Sequence, residues 1–275
     1  MLPLTDEQVE RYSRQLILRG FGGKAQEKLL RGRVLVVGAG GLGSPALYYL
    51  VAAGVGTVGV VDGDDVDLTN LQRQIVHFTP DVGTPKVESA KRKLNQLNPD
   101  VTVVTHRRHL TPDNAAELVE PYDFVIDATD NFAAKFLVND ACVLAGKPFS
   151  HAGILRFDGL VMTHVPGETC YRCVFETPPP EGAVPTCSQA GVLGAVAGIV
   201  GTIQAAEAIK YLVGAGNDQL LVNRLLFVNA LNVEFRSIEL KRNPGCPVCG
   251  DSPSIVELEA RNYQPRACAD PKVES

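Results

Sequence analysis

The sequence predicts an α/β protein built on a doubly wound, mostly parallel sheet. Short runs rich in valine alternate with amphipathic segments of helix length in the first half of the chain, which is the pattern of strands joined by crossover helices. The first of these runs leads directly into a glycine-rich turn. Over residues 148–165 and 220–240, strand-like runs follow one another without an intervening helix, so antiparallel strands are expected toward the C-terminus.

The first predicted element is a polar helix. Residues Thr5 to Gln8 have the capping-box pattern and predict a helix that continues through Arg19. This helix carries Arg11 and Arg14, whose spacing alone indicates an ordinary solvated face.

A nucleotide-binding unit is predicted over residues 33–64. The run Arg33–Val37 is typical of a strand buried on both faces of a parallel sheet, and a G-x-G-x-x-G turn opens the helix that follows. The glycines of this turn are Gly38, Gly40, Gly41 and Gly43. Such glycines let the backbone approach a phosphate, toward which the first N–H groups of the helix point.

The next strand, Thr57–Val61, ends at Asp62, and Asp64 follows in the same loop. A carboxylate at Asp62 can accept hydrogen bonds from ribose hydroxyls, which completes a Rossmann-like arrangement. No Walker-type G-x-x-x-x-G-K-[ST] loop occurs in the sequence. The glycine turn alone therefore favours an NAD-dependent oxidoreductase.

Further polar residues follow the strands. The loop after Asp64 contains Asn70, Arg73 and Gln74. Lys86 begins an amphipathic helix through Leu97, where its charge opposes the helix dipole unless an anion such as phosphate is its partner. Asp127 lies near the end of a buried strand that ends at Ala128, and Asp130 and Asn131 follow it. Asp127 and Asp130 suit ordinary helix caps, but a carboxylate beside a phosphate site is also what Mg²⁺ requires.

Two C-x-x-C pairs predict a Cys₄ zinc knuckle. The pairs are Cys170 with Cys173 and Cys246 with Cys249, and their spacing is that of structural zinc ligands. Two independent redox motifs are the weaker alternative, because neither pair opens a helix in a thioredoxin-like unit.

A fifth cysteine, Cys187, lies in a proline-rich loop between the two pairs. Most lone cysteines are small buried hydrophobic residues. A thiol exposed ahead of a helix can instead have a lowered pKa and act as a nucleophile, so both interpretations stay open.

The helix predicted from Ala190 to Leu212 is rich in glycine and alanine, which suits a buried core helix or a dimer seam. Beyond it, two strands lead to the second cysteine pair. Residues 259–275 are predominantly polar, and a disordered tail is expected there.

Composition excludes several classes of protein. The net charge is −5 and no basic tract occurs, so nucleic acid is not an expected partner. The N-terminus lacks the features of a signal peptide, and the longest apolar run, Ala190–Ile203, is too short to span a bilayer. Seven cysteines then favour metal binding over disulfides, and a cytoplasmic location is expected.

Taken together, these motifs resemble those of the E1-like activating enzymes, specifically the bacterial MoeB/ThiF/HesA family. The resemblance covers residues 5–258 and is carried most specifically by the sequences NLQRQ at 70–74 and TDN at 129–131. It implies one ThiF-type adenylation domain over residues 1–258. It also implies an ATP-dependent adenylyltransferase that converts the C-terminal glycine of a small ubiquitin-like sulfur-carrier protein, MoaD-like or ThiS-like, into an acyl-adenylate with release of pyrophosphate.

The resemblance also assigns roles to residues. Asp130 would carry Mg²⁺, while Asn70, Arg73 and Lys86 would bind the triphosphate. Arg14 matches an arginine that this family inserts from the neighbouring protomer, so a homodimer is implied. Cys187 matches the family's loop cysteine, whose part as a covalent nucleophile stays open. The nucleotide-binding set is completed by the turn glycines, Asp62, Asp64, Gln74 and Asn131.

The expected partners are a carrier ending in Gly-Gly and a separate sulfur donor, a cysteine desulfurase or rhodanese, because no rhodanese domain is seen in the sequence. A dehydrogenase is disfavoured since no substrate domain with a proton-transfer residue is found. A non-catalytic scaffold of the same fold would be expected to lack charged residues such as Arg73, Lys86 or Asp130, all of which are present. The pathway served by the carrier stays open.

Overall fold

The computed structural model describes residues 4–180, 182–185 and 187–264, without the side chains of Cys187 and Ser188. The strands are β1 (Arg33–Val37), β2 (Thr57–Val61), β3 (Thr102–His106), β4 (Phe124–Asp127), β5 (Phe149–Leu155), β6 (Asp158–His164), β7 (Arg224–Asn229) and β8 (Glu234–Glu239). The helices are α1 (Asp6–Arg11), α2 (Ser13–Leu16), α3 (Gly22–Arg31), α4 (Gly43–Ala52), α5 (Lys86–Leu97), α6 (Pro112–Val119), α7 (Phe132–Leu144), α8 (Tyr171–Val174), α9 (Cys187–Ala190) and α10 (Gly194–Val213).

These strands form a single sheet in the order β3-β2-β1-β4-β5-β6-β7-β8. The pairings from β3 across to β5 are parallel, and those from β5 to β8 are antiparallel. Apolar side chains cover both faces of the sheet in two large buried clusters. The predicted fold class, a doubly wound and mostly parallel sheet with antiparallel C-terminal strands, is confirmed.

The strand order determines where a ligand can bind. In the sheet, β1 lies between β2 and β4: the chain runs from β1 to β2 and β3 on one side, and then crosses to β4 on the other side. The space between the carboxyl ends of β1 and β4 is therefore the topological switch point. Open α/β sheets bind ligands at that crevice. The glycine-rich turn follows β1 and residues 128–131 follow β4, so the predicted site residues meet there.

The N-terminal helix is shorter than predicted. The capping box at Thr5 forms, but the helix ends at Arg11 and a separate turn of helix, α2, begins at Ser13. The reason is Tyr12, which is 2% exposed: its ring packs against Gly54 and its hydroxyl accepts a hydrogen bond from Asn98 Nδ2 at 2.9 Å. Burying this side chain turns the chain inward and leaves Arg14 exposed on α2.

The small residues of α10 allow it to approach the loops around the switch point. A Cβ on Gly194 would lie 2.3 Å from the Gln72 carbonyl oxygen, and one on Gly201 would lie 2.3 Å from the Leu42 carbonyl oxygen. The helix is long and apolar enough to cross a membrane by composition. However, it packs against the sheet, and its buried Gln204 donates to the carbonyl oxygens of Asp127 and Ser150. We therefore describe α10 as the core helix that supports the crevice.

The boundary of the C-terminal tail differs from the prediction. Residues Ala260–Tyr263 form a 3₁₀ turn, and Tyr263 is 6% exposed. The turn is held by the buried Arg172, which donates to the Asn262 carbonyl oxygen and pairs with Asp140. The described structure thus continues through residues 259–264 of the predicted tail, because Tyr263 packs into the core. Residues 265–275 lie outside the described part of the chain.

Candidate nucleotide-binding site

A cleft of about 880 Å³ lies at the carboxyl ends of the parallel strands. Its lining includes ten of the predicted site residues, namely Gly38, Gly40, Gly41, Asp62, Asp64, Arg73, Gln74, Lys86, Asp130 and Asn131. Gly43, Asn70 and Arg14 are described but lie outside this lining. The sequence therefore brings most of its predicted nucleotide-binding residues to one place.

The glycine turn has the geometry that requires glycine. Gly38 has φ +104°, and a Cβ there would lie 2.6 Å from the Ala128 carbonyl oxygen. A Cβ on Gly43 would lie 1.9 Å from the Gly38 carbonyl oxygen. Gly43 thus closes the turn rather than lining the cleft, and together these glycines bring the end of β1 against the end of β4.

Gln74 lies over the turn with an unsatisfied oxygen. Its side chain is 5% exposed, and its Nε2 would lie 3.7 Å from a Cβ on Gly40. Among the described residues its Oε1 has no hydrogen-bond partner. Because buried polar atoms are normally paired, this unpaired oxygen beside Gly40 fits a ligand that supplies a hydrogen-bond donor, such as a nucleotide.

Asp62 accepts two backbone hydrogen bonds at the end of β2. Its Oδ2 accepts from the Ala39 N–H at 2.8 Å and its Oδ1 from the Asp64 N–H at 2.9 Å. Burial raises the pKa of Asp62, and the nearby charge of Lys86 opposes that shift. A carboxylate has about four lone-pair positions, so Asp62 can still accept hydrogen bonds from ribose hydroxyls.

Lys86 has a protein partner in the absence of a phosphate. Its side chain is 7% exposed, and its Nζ lies 2.8 Å from Asp64 Oδ2. The positive charge of Lys86 at the start of α5, for which the sequence suggested a phosphate partner, is therefore already balanced by the Asp64 carboxylate. Asp64 itself is exposed at the cleft, so an incoming polyphosphate could share the ammonium group with it.

The NLQRQ loop contributes unequally to the cleft. Arg73 lies over Gly41, with its Cγ 3.4 Å from the position of a Cβ there, and donates to the Thr69 carbonyl oxygen. Asn70 instead supports the loop from within, since its carbonyl oxygen accepts from the N–H groups of Arg73 and Gln74. The structure thus brings Arg73 and Gln74 to the cleft and leaves Asn70 behind them.

After β4, Asp130 and Asn131 differ in what holds them. Asn131 is the N-cap of α7, and its Oδ1 accepts from the Ala134 N–H at 2.9 Å. Asp130 is exposed and lines the cleft. Asp130 therefore has the open carboxylate that a hard cation such as Mg²⁺ requires, whereas the side chain of Asn131 is engaged in helix capping.

Sequence reasoning missed His77, which supports the glycine turn from behind. It is 3% exposed, with Nε2 2.9 Å from the Ala39 carbonyl oxygen and Nδ1 2.9 Å from Ser89 Oγ. A carbonyl oxygen only accepts, so Nε2 carries the proton and Nδ1 accepts from the serine. Burial lowers the pKa of His77 to about 4, which keeps the ring neutral at pH 7. A single histidine in a polar loop offers no signal from which this contact could be predicted.

A second missed cluster lies in the floor of the cleft, where β4 pairs with β5. Asp127 is fully buried, and its Oδ2 lies 2.7 Å from His151 Nδ1 and 3.6 Å from Lys135 Nζ. Burial alone would raise the pKa of Asp127, but Lys135 and the hydrogen bond from His151 hold it at about 2. Asp127 and His151 are register partners on the adjacent strands β4 and β5. Their pairing cannot be recognised from the sequence until the strand order is known.

The four cysteines of the two pairs come together. Their sulfur atoms lie within 4.8 Å of one another, with separations of 3.3 Å for Cys173 to Cys249 and 3.6 Å for Cys170 to Cys246. Four sulfurs bound tetrahedrally at 2.3 Å from one ion are about 3.8 Å apart, whereas a disulfide requires about 2.05 Å. The cluster fits a tetrahedral metal site and links the β8 side of the chain to the segment after β6.

Cys187 is the first residue of the short helix α9. Its side chain lies outside the described atoms, so its predicted nucleophilic role is untested.

Comparison with known proteins identifies the family. The ThiF family model matches residues 12–248. The chain belongs to the ThiF family. The predicted family is thereby confirmed, and an NAD-dependent oxidoreductase is not favoured.

Relatives of this ThiF-family chain carry consistent names. It is 52% identical to the sulfur carrier protein adenylyltransferase of Thermus thermophilus, over 92% of this chain and 95% of that protein. It is 48% identical to the SAMP-activating enzyme E1 of Haloferax volcanii, over 95% and 96% of the two chains. The adenylyltransferase and sulfurtransferase MOCS3 of Anopheles gambiae is 46% identical over 93% of this chain, which spans 58% of the length of that relative.

Solved structures show the same fold at lower identity. The structure of E. coli MccB with ATP superposes with a TM-score of 0.77 at 26% identity, covering 87% of this ThiF-family chain and 73% of MccB. The structure of MccB with N-formylated MccA gives a TM-score of 0.78 at 26% identity, covering 87% and 75%.

Proposed function

We propose that this chain is an ATP-dependent adenylyltransferase that activates the C-terminal glycine of a small ubiquitin-like sulfur-carrier protein as an acyl-adenylate. The observation that carries the proposal is the convergence of the glycine turn, Asp62, Arg73, Lys86 and Asp130 on one cleft. Its ThiF-family relatives include a protein named sulfur carrier protein adenylyltransferase at 52% identity. A scaffold without catalysis would not need these charges to converge.

The polar half of the cleft suits ATP. The backbone of Gly40 and Gly41 lines the cleft beside Gln74 and Arg73, and Asp62 can accept from the ribose hydroxyls. Arg73 and Lys86 supply positive charge at the same edge of the sheet. Asp64, Gln74 and Asn131 also belong to the proposed nucleotide-binding set, with Asn131 acting through its cap of α7, while Asn70 and Gly43 act by holding the loop and the turn.

The reaction follows from the chemistry of the two substrates. A carboxylate oxygen of the carrier's terminal glycine attacks the α-phosphorus of ATP; the new C–O–P linkage forms as the bond to the β-phosphate breaks, and pyrophosphate leaves with the electron pair. Catalysis of such a displacement depends on alignment and on stabilising developing charge. Arg73 and Lys86 would stabilise that charge, and the pairing of Lys86 with Asp64 fixes the position of its ammonium group before ATP arrives.

Asp130 is proposed to hold Mg²⁺, since its carboxylate is exposed in the cleft. The ion, when bound, would neutralise phosphate charge on the departing pyrophosphate. The Cys₄ cluster is proposed to hold a structural Zn²⁺, because a four-thiolate site has no open position for a substrate. Its sulfur separations of 3.3 to 3.9 Å, too long for a disulfide, support that assignment, and reduced thiols support the proposed cytoplasmic location.

The apolar half of the cleft suits the carrier's tail. It is lined by Leu155 on β5, Leu160 on β6 and Phe227 on β7, with Gly153 opposite Leu160 in the ladder. A flexible Gly-Gly tail has no side chains, so it could pass along this floor to reach the nucleotide. A separate sulfur donor, a cysteine desulfurase or a rhodanese, is proposed to act on the acyl-adenylate, and Cys187 is a candidate for a covalent step.

We also propose a homodimer in which Arg14 serves the partner's cleft. Arg14 is exposed on α2 and does not line its own cleft. Exposed apolar side chains flank it, with Ile17 74% and Leu18 55% exposed, which is consistent with a surface covered by another chain.

Mixing two inactive variants tests this homodimer. Arg14→Ala and Asp130→Asn should each be inactive alone, and refolded mixtures should recover about a quarter of wild-type activity, because half of the dimers are mixed and each mixed dimer has one complete site. Mixed samples that stay inactive although sedimentation shows heterodimers would contradict the role of Arg14 in trans. Recovery must also be absent when two Arg14→Ala samples are mixed.

ATP–pyrophosphate exchange tests the function itself. Purified enzyme with Mg²⁺ and a panel of small ubiquitin-like proteins ending in Gly-Gly should incorporate labelled pyrophosphate into ATP with at least one carrier. The matched control is the same carrier without its last glycine, which should support no exchange. Exchange with no carrier, together with tight NAD binding, would show that the proposal is wrong.

A further inference from the structure

We propose that His151 accepts a hydrogen bond, through Nε2, from a backbone N–H of the carrier's C-terminal tail, and so positions the tail between the two halves of the cleft. This inference rests on the proposed function. It assigns a positioning residue that lies outside the nucleotide-binding motifs described above.

The location of His151 is the first argument. It is 1% exposed on β5 and lines the cleft. Its register partner Asp127 lies three residues before Asp130, the proposed Mg²⁺ ligand, while Gly153 and Leu155 continue the same face of β5 toward the apolar half. His151 is therefore at the junction that the terminal glycine must occupy when its carboxylate meets ATP.

The orientation of the imidazole ring is the second argument. Nδ1 lies 2.7 Å from Asp127 Oδ2, and the ring packs against Tyr171 with centroids 4.0 Å apart and an interplanar angle of 35°. Asp127 is held in turn by the Thr129 N–H and hydroxyl on its other oxygen, at 3.0 and 2.6 Å. The ring thus has a fixed position, with Nδ1 directed to the buried carboxylate and Nε2 on the opposite edge.

The protonation state makes Nε2 an acceptor. Asp127 is ionised at neutral pH because Lys135 and His151 hold its pKa at about 2 despite complete burial. Burial lowers the pKa of His151, so the ring is neutral and its one proton is on Nδ1, donated to Asp127. Within the described part of the chain Nε2 has no hydrogen-bond partner. Because Nε2 accepts hydrogen bonds, it would repel the reacting carboxylate itself. The group of the tail that can donate to Nε2 is a peptide N–H.

Two substitutions separate this role from a structural one. In His151→Asn, the side-chain amide can reproduce the Nδ1–H donor to Asp127 but has no atom at the position of Nε2. In His151→Gln, the side-chain oxygen can reach the position of Nε2, but the donor to Asp127 is lost. Each variant therefore keeps one edge of the ring and removes the other.

The experiment measures ATP–pyrophosphate exchange with a Gly-Gly carrier that is active with the wild type. We expect His151→Asn to raise the KM for the carrier about three- to tenfold, the effect of one neutral hydrogen bond, with the KM for ATP unchanged. We expect His151→Gln to stay within about twofold of wild type in both constants. Thermal unfolding of the two variants verifies that both are folded.

The reverse order would overturn the inference. If His151→Gln is impaired and His151→Asn is normal, His151 acts only by holding Asp127. Equal KM values for the carrier in all three proteins would also overturn it, as would a rise in the KM for ATP alone. A wild type that shows no exchange with any carrier would instead remove the proposed function, and this inference with it.

Discussion

Replacing Asp130 with asparagine should lower ATP–pyrophosphate exchange by about 10²- to 10³-fold, the typical effect of removing one preorganised electrostatic group from an active site. The substitution keeps the size and shape of the side chain and removes the charge that the proposed Mg²⁺ needs. Asp130 is exposed, and no hydrogen bond within the described residues depends on its side chain. The fold should therefore be intact, with a Tm close to that of the wild type.

A titration with Mg²⁺ makes the assignment specific. The residual activity of Asp130→Asn should need a higher Mg²⁺ concentration for half-saturation than the wild type. Asp218→Asn is the matched control, because Asp218 is an exposed aspartate on the connection between α10 and β7, away from the cleft lining. Normal exchange in Asp130→Asn at ordinary Mg²⁺ concentration would exclude Asp130 as the metal ligand.

The parts of the fold that were predictable depend on local patterns. The glycine turn, the run Arg33–Val37 and the acid at Asp62 each have a signature within a few residues, because turn geometry, burial on both sheet faces and strand ends restrict the residue types allowed. The fingerprint could not by itself choose between a dinucleotide enzyme and an adenylating one. That choice depended on Arg73, Lys86 and Asp130, whose meaning came from a family resemblance.

The parts that were missed depend on contacts across the sheet. His151 reads as one polar residue in an apolar strand until β5 is known to lie beside β4, where the register puts it opposite Asp127. His77 and Tyr12 are similar cases, since each is buried by a segment remote in sequence. Lys86 is a different case: the structure adds Asp64 as a protein partner that the sequence did not indicate, and the binding of phosphate by Lys86 stays a prediction.

The Cys₄ cluster connects segments that are distant in sequence, so replacing one of its cysteines is expected to lower stability strongly. Cys246→Ser should lose bound zinc and lower the free energy of unfolding by about 4 kcal/mol, the contribution of a ligand present at 1,000 times its dissociation constant. For a chain of this size that corresponds to a decrease in Tm of roughly 8 to 16 °C. Four thiolates this close would repel one another without a cation, so removing one ligand should weaken the whole cluster.

Cys142→Ser is the matched control for that experiment. Cys142 is a fully buried free thiol on α7, so its replacement also puts a hydroxyl group into the core, but it should leave the zinc content unchanged. Elemental analysis and thermal unfolding of the two variants then separate metal binding from the loss of a buried sulfur. If Cys246→Ser retained zinc, or if chelation left the Tm of the wild type unchanged, the four cysteines would not form a structural zinc site. If both results are as expected, zinc links the segment after β6 to the chain beyond β8, and the apolar half of the cleft depends on it because β6 and β7 supply Leu160 and Phe227.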